Sequence, residues 1–211
     1  MRPLLPHLSS LLPVARPAAP RILIVNGHPD SRPERFCAAV CTAYGEGARA
    51  GGCLTRRMDV GARGRLLDGS DTVPGMQSEV AQMLEGIWWA DRLFIAYPMW
   101  LDGPPPTLQC LFEVLAQRRL SGKSSPCVAD LPSADKEARI VVTTGLPALL
   151  YRAKIDGAAT PAGFRLAPTT YIGSVDSISP GGRARWLENM YALGRHERRN
   201  RRRGLCPRVV S

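Results

Sequence analysis

Three short, almost wholly apolar segments set the strongest limit on what this chain can fold into. They are Arg21–Asn26, Leu93–Tyr97 and Ala138–Thr143. Each is rich in β-branched or aromatic residues, which is typical of a strand buried on both faces of a parallel sheet. Segments with helical periodicity lie between them, as the crossovers of a parallel sheet require. The sequence therefore predicts an α/β protein.

Two further strands complete the predicted sheet. The more polar segment Cys53–Val60 suits an edge strand, and Thr169–Val175 suits a fifth strand. Five strands that alternate with helices predict a doubly wound parallel sheet, and right-handed crossovers favour the order 2-1-3-4-5. The loops after the first, third and fourth strands would then border one crevice. The predicted helices are Glu34–Ala50, Met76–Trp89, one that begins at Pro106 or Thr107, Ala148–Lys154 and Pro180–Gly194.

The length and charge of the chain indicate one domain with an extension at each end. The chain has 211 residues and a formal charge of +10. Residues 195–208 contain seven arginines and one glutamate, a local charge of +6. We expect a domain over residues 21–195, a disordered extension over 1–20 and a disordered basic tail over 196–211 that makes weak contact with an anionic surface. Nucleic-acid binding through this tail is the alternative. No apolar run approaches the ~18 residues of a membrane span.

The six cysteines and three histidines do not form a metal-binding pattern. No CxxC pair is present, and no histidine stands at ligand spacing from a cysteine. We therefore predict no metal site. Thiols without evident disulfide partners suit a reducing compartment, so we expect the protein to be cytoplasmic.

The loop after the first strand has the features of a phosphate site. A helix N-terminus follows it, and His28, Ser31 and Arg35 lie next to that N-terminus. Free backbone N–H groups, the helix dipole and a guanidinium together suit one phosphate monoester. A capped helix with a surface arginine is the alternative.

The other two loops suggest a site for a flat ring. The stiff segment Pro98–Pro106 carries bulky apolar residues for stacking, although it could instead pack against another subunit. The segment Thr143–Leu146 offers small residues and backbone donors, and Tyr151 follows one or two turns later. A phosphate joined to a flat ring system describes FMN.

With these residues in view, the chain resembles the NAD(P)H dehydrogenase (quinone) family of the flavodoxin-like fold, which includes NAD(P)H:quinone oxidoreductases and potassium-efflux ancillary oxidoreductases. The resemblance implies a flavodoxin-like five-stranded sheet and a homodimer. It also implies FMN as cofactor, with FAD as an alternative, and NAD(P)H as co-substrate. The expected reaction carries two electrons to a quinone or a similar small acceptor by ping-pong hydride transfer. The matching segments are Ile22–Asp30, Arg35–Phe36, Glu46–Gly52, Met58–Val60, Trp89–Asp91, Pro98–Leu101, Pro106–Leu108, Thr143–Gly145 and Trp186–Arg195.

The resemblance also implies roles for individual residues. His28, Arg35 and Phe36 would contact the phosphate and ribityl chain. Tyr151 and the backbone of Gly145 would act in catalysis by stabilising reduced flavin. The remaining cofactor contacts would come from Pro98, Met99, Trp100 and Leu101 beside the isoalloxazine and from Thr143, Thr144, Gly145 and Leu146 at the pyrimidine edge.

Some positions depart from the family pattern and leave a second function open. Leu146 replaces a glycine, Gln109 replaces a lysine, and residues 118–137 lack the aromatic insertion of the family. These departures favour a flavodoxin-like regulatory subunit of a potassium-efflux transporter, with weak catalysis or none. His28, Trp100 and Tyr151 favour the oxidoreductase.

Overall fold

Strand β1 (Arg21–Asn26) lies in the interior of a parallel sheet, paired on one side with β2 (Leu54–Asp59) and on the other with β3 (Arg92–Met99). The structure is a computed structural model that describes residues 19–60, 84–100, 103–120, 136–147 and 164–203. Residues 22–25 of β1 are fully apolar and at most 2% exposed. The strand is therefore covered on both faces, as its apolar sequence predicts.

The sheet continues from β3 to β4 (Glu137–Thr144) and has the order β2-β1-β3-β4-β5. The predicted order is confirmed, but the fifth position holds two short strands instead of one. Strand β5 (Arg165–Leu166) pairs with the beginning of β4, and β6 (Thr170–Ile172) pairs with its end. Pro168 lies between them and has no N–H group for the ladder, which accounts for the interruption.

Four helices cover the sheet in the described part of the chain. They are α1 (Phe36–Ala50), α2 (residues 84–89), α3 (Pro106–Leu120) and α4 (Pro180–Arg203). Helix α4 does not end at Gly194 as predicted, so residues 196–203 of the predicted disordered tail are helical. This stretch contains no glycine or proline, and arginine is a good helix former. The predicted helix Ala148–Lys154 and residues 1–18, 76–83 and 204–211 lie outside the described residues.

The side chains of β1 alternate between two apolar layers. Ile22 and Ile24 face α1 and α4, whereas Leu23 and Val25 face α2 and α3. In the first layer the rings of Tyr44 and Phe94 stack with their centroids 3.8 Å apart. The three layers of helix, sheet and helix leave only the two edges of the sheet open to loops.

Helices α1 and α4 touch through their backbones. A Cβ atom on Gly47 would overlap the Tyr191 carbonyl oxygen, and one on Gly194 would overlap the carbonyl oxygen of Tyr44. Glycine at these two positions lets the helices approach more closely than side chains would allow. This close contact holds α4 against the sheet.

A buried ion cluster anchors α4 at its carboxyl half. Glu197 is 1% exposed and is bound by Arg92 and by Arg139, whose Nε lies 3.4 Å from Oε1. Both arginines come from the first residues of β3 and β4. The cluster therefore fixes α4 to the edge of the sheet where the strands begin.

No helix among the described residues is long and apolar enough to cross a membrane. The same residues contain no group of three His, Cys, Asp or Glu side chains that could hold a metal ion.

We predict that Gly47→Ala lowers the free energy of unfolding by about 3 kcal/mol or more, because the added methyl group meets backbone that cannot rotate away. Gly181→Ala is the matched control, since a Cβ atom there meets nothing within 4 Å. The control should leave stability unchanged or raise it by up to about 1 kcal/mol. Urea unfolding followed by circular dichroism measures both. Equal stabilities for the two variants would contradict this account of the α1–α4 contact.

Candidate functional site

The ends of β1, β3 and β4 lie side by side at the carboxyl edge of the sheet. Asn26 pairs with Ala96 across the β1–β3 ladder, and Met99 pairs with Thr144 across the β3–β4 ladder. The three predicted loops therefore leave the sheet at neighbouring positions. His28, Trp100 and Thr144 lie at one edge of the molecule, as the strand order predicts.

The first loop is shaped by Asn26, which is completely buried at the end of β1. Its Nδ2 donates to Oδ1 of Asp59 at 2.8 Å, and its Oδ1 accepts from the His28 N–H at 3.2 Å. Gly27 follows, and a Cβ atom there would lie 2.9 Å from Cβ of Tyr97. Asn26 and Gly27 together hold the loop close against β3.

His28 has a defined tautomer. Its Nδ1 accepts a hydrogen bond from the Asp30 N–H at 2.9 Å, so in the neutral ring Nε2 carries the proton. Burial lowers the pKa of His28, and the positive charge of Arg35 lowers it further against the opposing effect of Asp30. His28 therefore offers a neutral Nε2–H donor at physiological pH.

Asp30 gathers two arginines at the mouth of the loop. Its carboxylate contacts the guanidinium of Arg32 at 2.7 Å and that of Arg35 at 2.6 Å. Hydrogen bonds from Arg32 hold the pKa of this carboxyl far below its usual range. Asp30 and the neighbouring Glu34 balance the charges of Arg32 and Arg35, so a positive excess beside the loop comes with Arg183, which lies next to Phe36.

The N-terminus of α1 adds backbone donors to this charge. Arg35 is the N-cap residue and makes no side-chain capping bond, and the first turn contains no acidic residue. The first N–H groups of a helix have no partners within the helix and attract anions. The ring of Phe36 lies beneath the guanidinium of Arg183, whose Cζ is 5.3 Å from the ring centroid. Three arginines thus surround the beginning of α1.

The second loop combines rigidity with an exposed aromatic ring. Met99 is buried, whereas the side chain of Trp100 is 48% exposed. Trp100 and Gly103 exchange two backbone hydrogen bonds of 3.0 and 3.2 Å, and Gly103 has a φ of 129°, which favours glycine. Gln109 donates to the Pro104 carbonyl at 2.8 Å and so braces the loop. Leu101 lies outside the described residues.

The third loop is held from two sides. Thr143 is buried, and its hydroxyl lies 3.2 Å from Sγ of Cys37. Burial raises the pKa of the Cys37 thiol to about 11, so the thiol stays protonated. Carbonyl oxygens of Thr144 and Leu146 accept from Val175 at 3.0 Å and from Ser174 at 3.1 Å. Gly145 and Leu146 are exposed at the tip. Tyr151 lies outside the described residues.

Sequence reasoning missed several residues that build this site. The sequence places Asn26 and Asp59 in strands and in matching segments but gives them no role at the site, although a polar residue at the end of an apolar strand is a usable signal. Asp30 entered only through the family pattern. Nothing in the local sequence indicates a role for Arg183, because its contact with Phe36 joins residues far apart in the chain.

The arrangement as a whole can bind an anion next to a flat apolar group. The anion site lies at the beginning of α1, and the exposed ring of Trp100 follows the neighbouring strand β3. Pro98 pairs with Thr143 in the adjoining ladder, so the backbone of the third loop lies directly beyond. A crevice of this kind at the switch point of a doubly wound sheet is the common ligand site of such folds.

A family model described as a flavodoxin-like fold matches residues 20–167, which is more than half of the chain. The chain belongs to the family of the flavodoxin-like fold. The resemblance seen in the sequence is thereby confirmed at the level of the fold. No curated protein matches the chain.

Solved structures of low sequence identity share this flavodoxin-like fold. An NAD(P)H:quinone oxidoreductase from Methanothermobacter marburgensis has a TM-score of 0.59 at 19% identity, over 85% of this chain and 97% of that one. An NADH:FMN oxidoreductase in its apo form has a TM-score of 0.57 at 16% identity, over 84% and 89% of the two chains. An azoreductase from Bacillus anthracis has a TM-score of 0.54 at 15% identity, over 83% and 99%. Such similarity shows the fold.

We predict that the imidazole of His28 titrates below pH 6.5 in the folded protein, because burial disfavours its charged form. The unfolded chain then binds the proton more tightly. Neutral His28 therefore favours folding above pH 6.5, and this contribution is lost as the pH falls through the folded-state pKa. NMR titration of the ring protons measures the midpoint. Arg35→Gln should move the midpoint upward, since it removes a positive neighbour; a midpoint above 6.5 in the wild type would contradict the buried, neutral assignment.

Proposed function

We propose that this chain is an FMN-dependent NAD(P)H oxidoreductase that passes two electrons to a quinone or a similar small acceptor. One observation carries the proposal: the uncapped N-terminus of α1, the exposed ring of Trp100 and the loop after β4 lie together at the carboxyl edge of three adjacent strands. The names of the structurally similar proteins support the same class of reaction. FAD is the alternative cofactor.

The residues at the crevice fit the chemical groups of FMN. The phosphate would take the N-terminus of α1, Arg35 and Nε2–H of His28, while Phe36 borders the ribityl chain. The ring would lie beside Pro98, Met99 and Trp100, with Leu101 as a further contact. The pyrimidine edge would face the loop of Thr143, Thr144, Gly145 and Leu146. When bound, the flavin accepts a hydride from NAD(P)H and returns two electrons to the acceptor.

The protein supplies orientation and charge for this chemistry. Backbone N–H groups of Gly145 and Leu146 would donate to the ring edge that gains negative charge, as donors do in an oxyanion hole. The Tyr151 hydroxyl would add a further donor. Bonds from the segment 174–175 to the carbonyls of Thr144 and Leu146 hold this loop in place, so its donors need not reorganise during the reaction.

The reaction would follow a ping-pong course because both substrates need the same face of the ring. Trp100 and Leu146 both expose apolar side chains at this edge, and the space between them would be the opening that both substrates use. The nicotinamide must leave before the acceptor enters the same opening. We further propose a homodimer in which a second copy covers part of this opening, and a cytoplasmic location in keeping with the free thiols of Cys37, Cys41 and Cys53.

We predict that the purified protein binds FMN at least tenfold more tightly than riboflavin, because only FMN carries the phosphate that α1 and Arg35 would hold. Quenching of flavin fluorescence gives both dissociation constants, and anaerobic NAD(P)H should bleach the bound flavin. Arg35→Gln should weaken FMN by about tenfold and leave riboflavin unchanged. Arg185→Gln, an exposed arginine on α4, is the matched control and should bind FMN as the wild type does.

Two results would contradict the cofactor assignment. Equal affinity for FMN and riboflavin would remove the phosphate site. A protein that stays colourless at saturating flavin would refute the oxidoreductase and favour the regulatory-subunit alternative.

We predict that Tyr151→Phe slows flavin reduction by about 10-fold or more, a value typical of losing one proton or hydrogen-bond donor at a reacting group. Anaerobic stopped-flow absorbance with saturating NAD(P)H isolates this half-reaction. FMN affinity should stay within a factor of about three, which separates a catalytic role from a binding role. An unchanged reduction rate would remove Tyr151 from the mechanism.

A further inference from the structure

The most basic surface of the described chain lies at the edge of the sheet opposite the crevice. Helix α4 runs from the carboxyl edge back to the amino edge and continues there past Gly194 to Arg203. Residues 195–203 contain six arginines and one glutamate. Glu197 is buried against Arg92 and Arg139, so it is unavailable to the exposed arginines around it.

The end of α1 extends this surface. Arg195 packs its backbone on the turn at Gly51, and Nη1 of Arg198 would lie 2.8 Å from a Cβ atom on Gly52. Arg49 is exposed in the last turn of α1, and its Nη1 donates to Oγ1 of Thr55 at 3.2 Å, so its charge lies beside the start of β2. We call Arg49, Arg195, Arg198 and the helical positions 199 and 201–203 the basic end.

Carboxylates near the amino edge do not neutralise the basic end. Asp91 is held by Arg21 at 3.0 Å, Glu85 by Arg56 at 3.6 Å and Glu137 by Arg165 at 3.3 Å. Among the described residues, no carboxylate pairs with Arg49, Arg195 or Arg198. The positive charge of the basic end is therefore not neutralised within the described fold and can attract an anionic partner.

We propose that the basic end binds duplex nucleic acid through its phosphates, without reading the base sequence. Positions 195, 198, 199 and 202 follow the spacing i, i+3, i+4, i+7 and share one face of α4, so they can follow a row of phosphates. The cations are all arginine, whose planar fork matches two phosphate oxygens at once. Counterion release from the duplex drives such binding.

An anionic membrane fits the basic end less well. A helix that lies in a lipid surface needs an apolar face to insert, and residues 195–203 contain no apolar side chain. Docking through the basic end would also hold the crevice away from the lipid, since the two lie at opposite edges of the sheet. We therefore argue for the duplex and leave the membrane as an outcome of the test.

The experiment compares two triple variants of the full-length protein. Arg195→Gln, Arg198→Gln and Arg202→Gln together remove three charges from one face of the basic end. The matched control removes three exposed charges outside both the basic end and the beginning of α1, through Arg56→Gln, Arg57→Gln and Arg185→Gln. Glutamine is about as good a helix former as arginine, and circular dichroism verifies that both variants fold.

Fluorescence anisotropy of a labelled 20-base-pair duplex should give a micromolar dissociation constant for the wild type at about 50 mM salt. The plot of log affinity against log salt should have a slope of about −3 to −6, and the basic-end variant should lower its magnitude by about 3 and weaken binding at least tenfold. The control variant should stay within about threefold. Duplexes of unrelated sequence should bind alike.

Three results would overturn the proposal. No binding at about 50 mM salt would remove the site. Equal losses of duplex affinity in both variants would show that binding depends on the net charge of the protein and not on the basic end. Tighter binding to vesicles with 30% phosphatidylserine, a composition chosen for the test, would assign the basic end to a membrane. The assay needs no flavin, so it stands or falls separately from the proposed oxidoreductase activity.

Discussion

The side-by-side pairing of β1 and β3 is the constraint on which the rest of the structure depends. Strand β2 pairs with one side of β1, and the next crossover passes β1 so that β3 pairs with its other side. The connections after β1 and β3 therefore turn to opposite faces of the sheet and leave a crevice between them. The described residues proposed to bind cofactor lie at the ends of β1, β3 and β4 or directly after them, because β1 pairs with β3 and β3 pairs with β4.

The two edges of the sheet use charge differently. At the carboxyl edge, Asp30 pairs with both Arg32 and Arg35, and Arg183 beside Phe36 adds a positive charge next to the helix N-terminus. At the amino edge, the carboxylate of Glu197 is buried in an ion pair with Arg92. It therefore does not neutralise the arginines that follow it on α4. A small anion suits the first arrangement and a long polyanion suits the second. The same chain thus places the proposed cofactor site and the proposed nucleic-acid surface at opposite edges of the sheet.

Much of the fold could be predicted because it depends on local patterns. Apolar segments with β-branched residues located β1, β3 and β4, and helical crossovers then restricted the strand order. The predicted end of α4 at Gly194 is wrong, because the helix continues to Arg203. In the structure, Gly194 lets α4 pack closely against the backbone of Tyr44. The buried ion pairs of Glu197 with Arg92 and Arg139 stabilise the helix beyond Gly194. Neither contact can be predicted from local sequence, because each joins residues that are far apart in the chain.

The sequence by itself determined which residues could meet a cofactor, since parallel strands of known order must end at a common edge. His28, Trp100 and Thr144 follow from that rule alone. Only the tertiary structure decided the protonation and the contacts of the residues around this edge. These are the neutral ring of His28, the sharing of Asp30 between two arginines and the stacking of Arg183 on Phe36. The reason is physical. Strand order is encoded in short-range hydrophobic periodicity, whereas protonation and ion pairing depend on burial and on distances between groups that are remote in the chain.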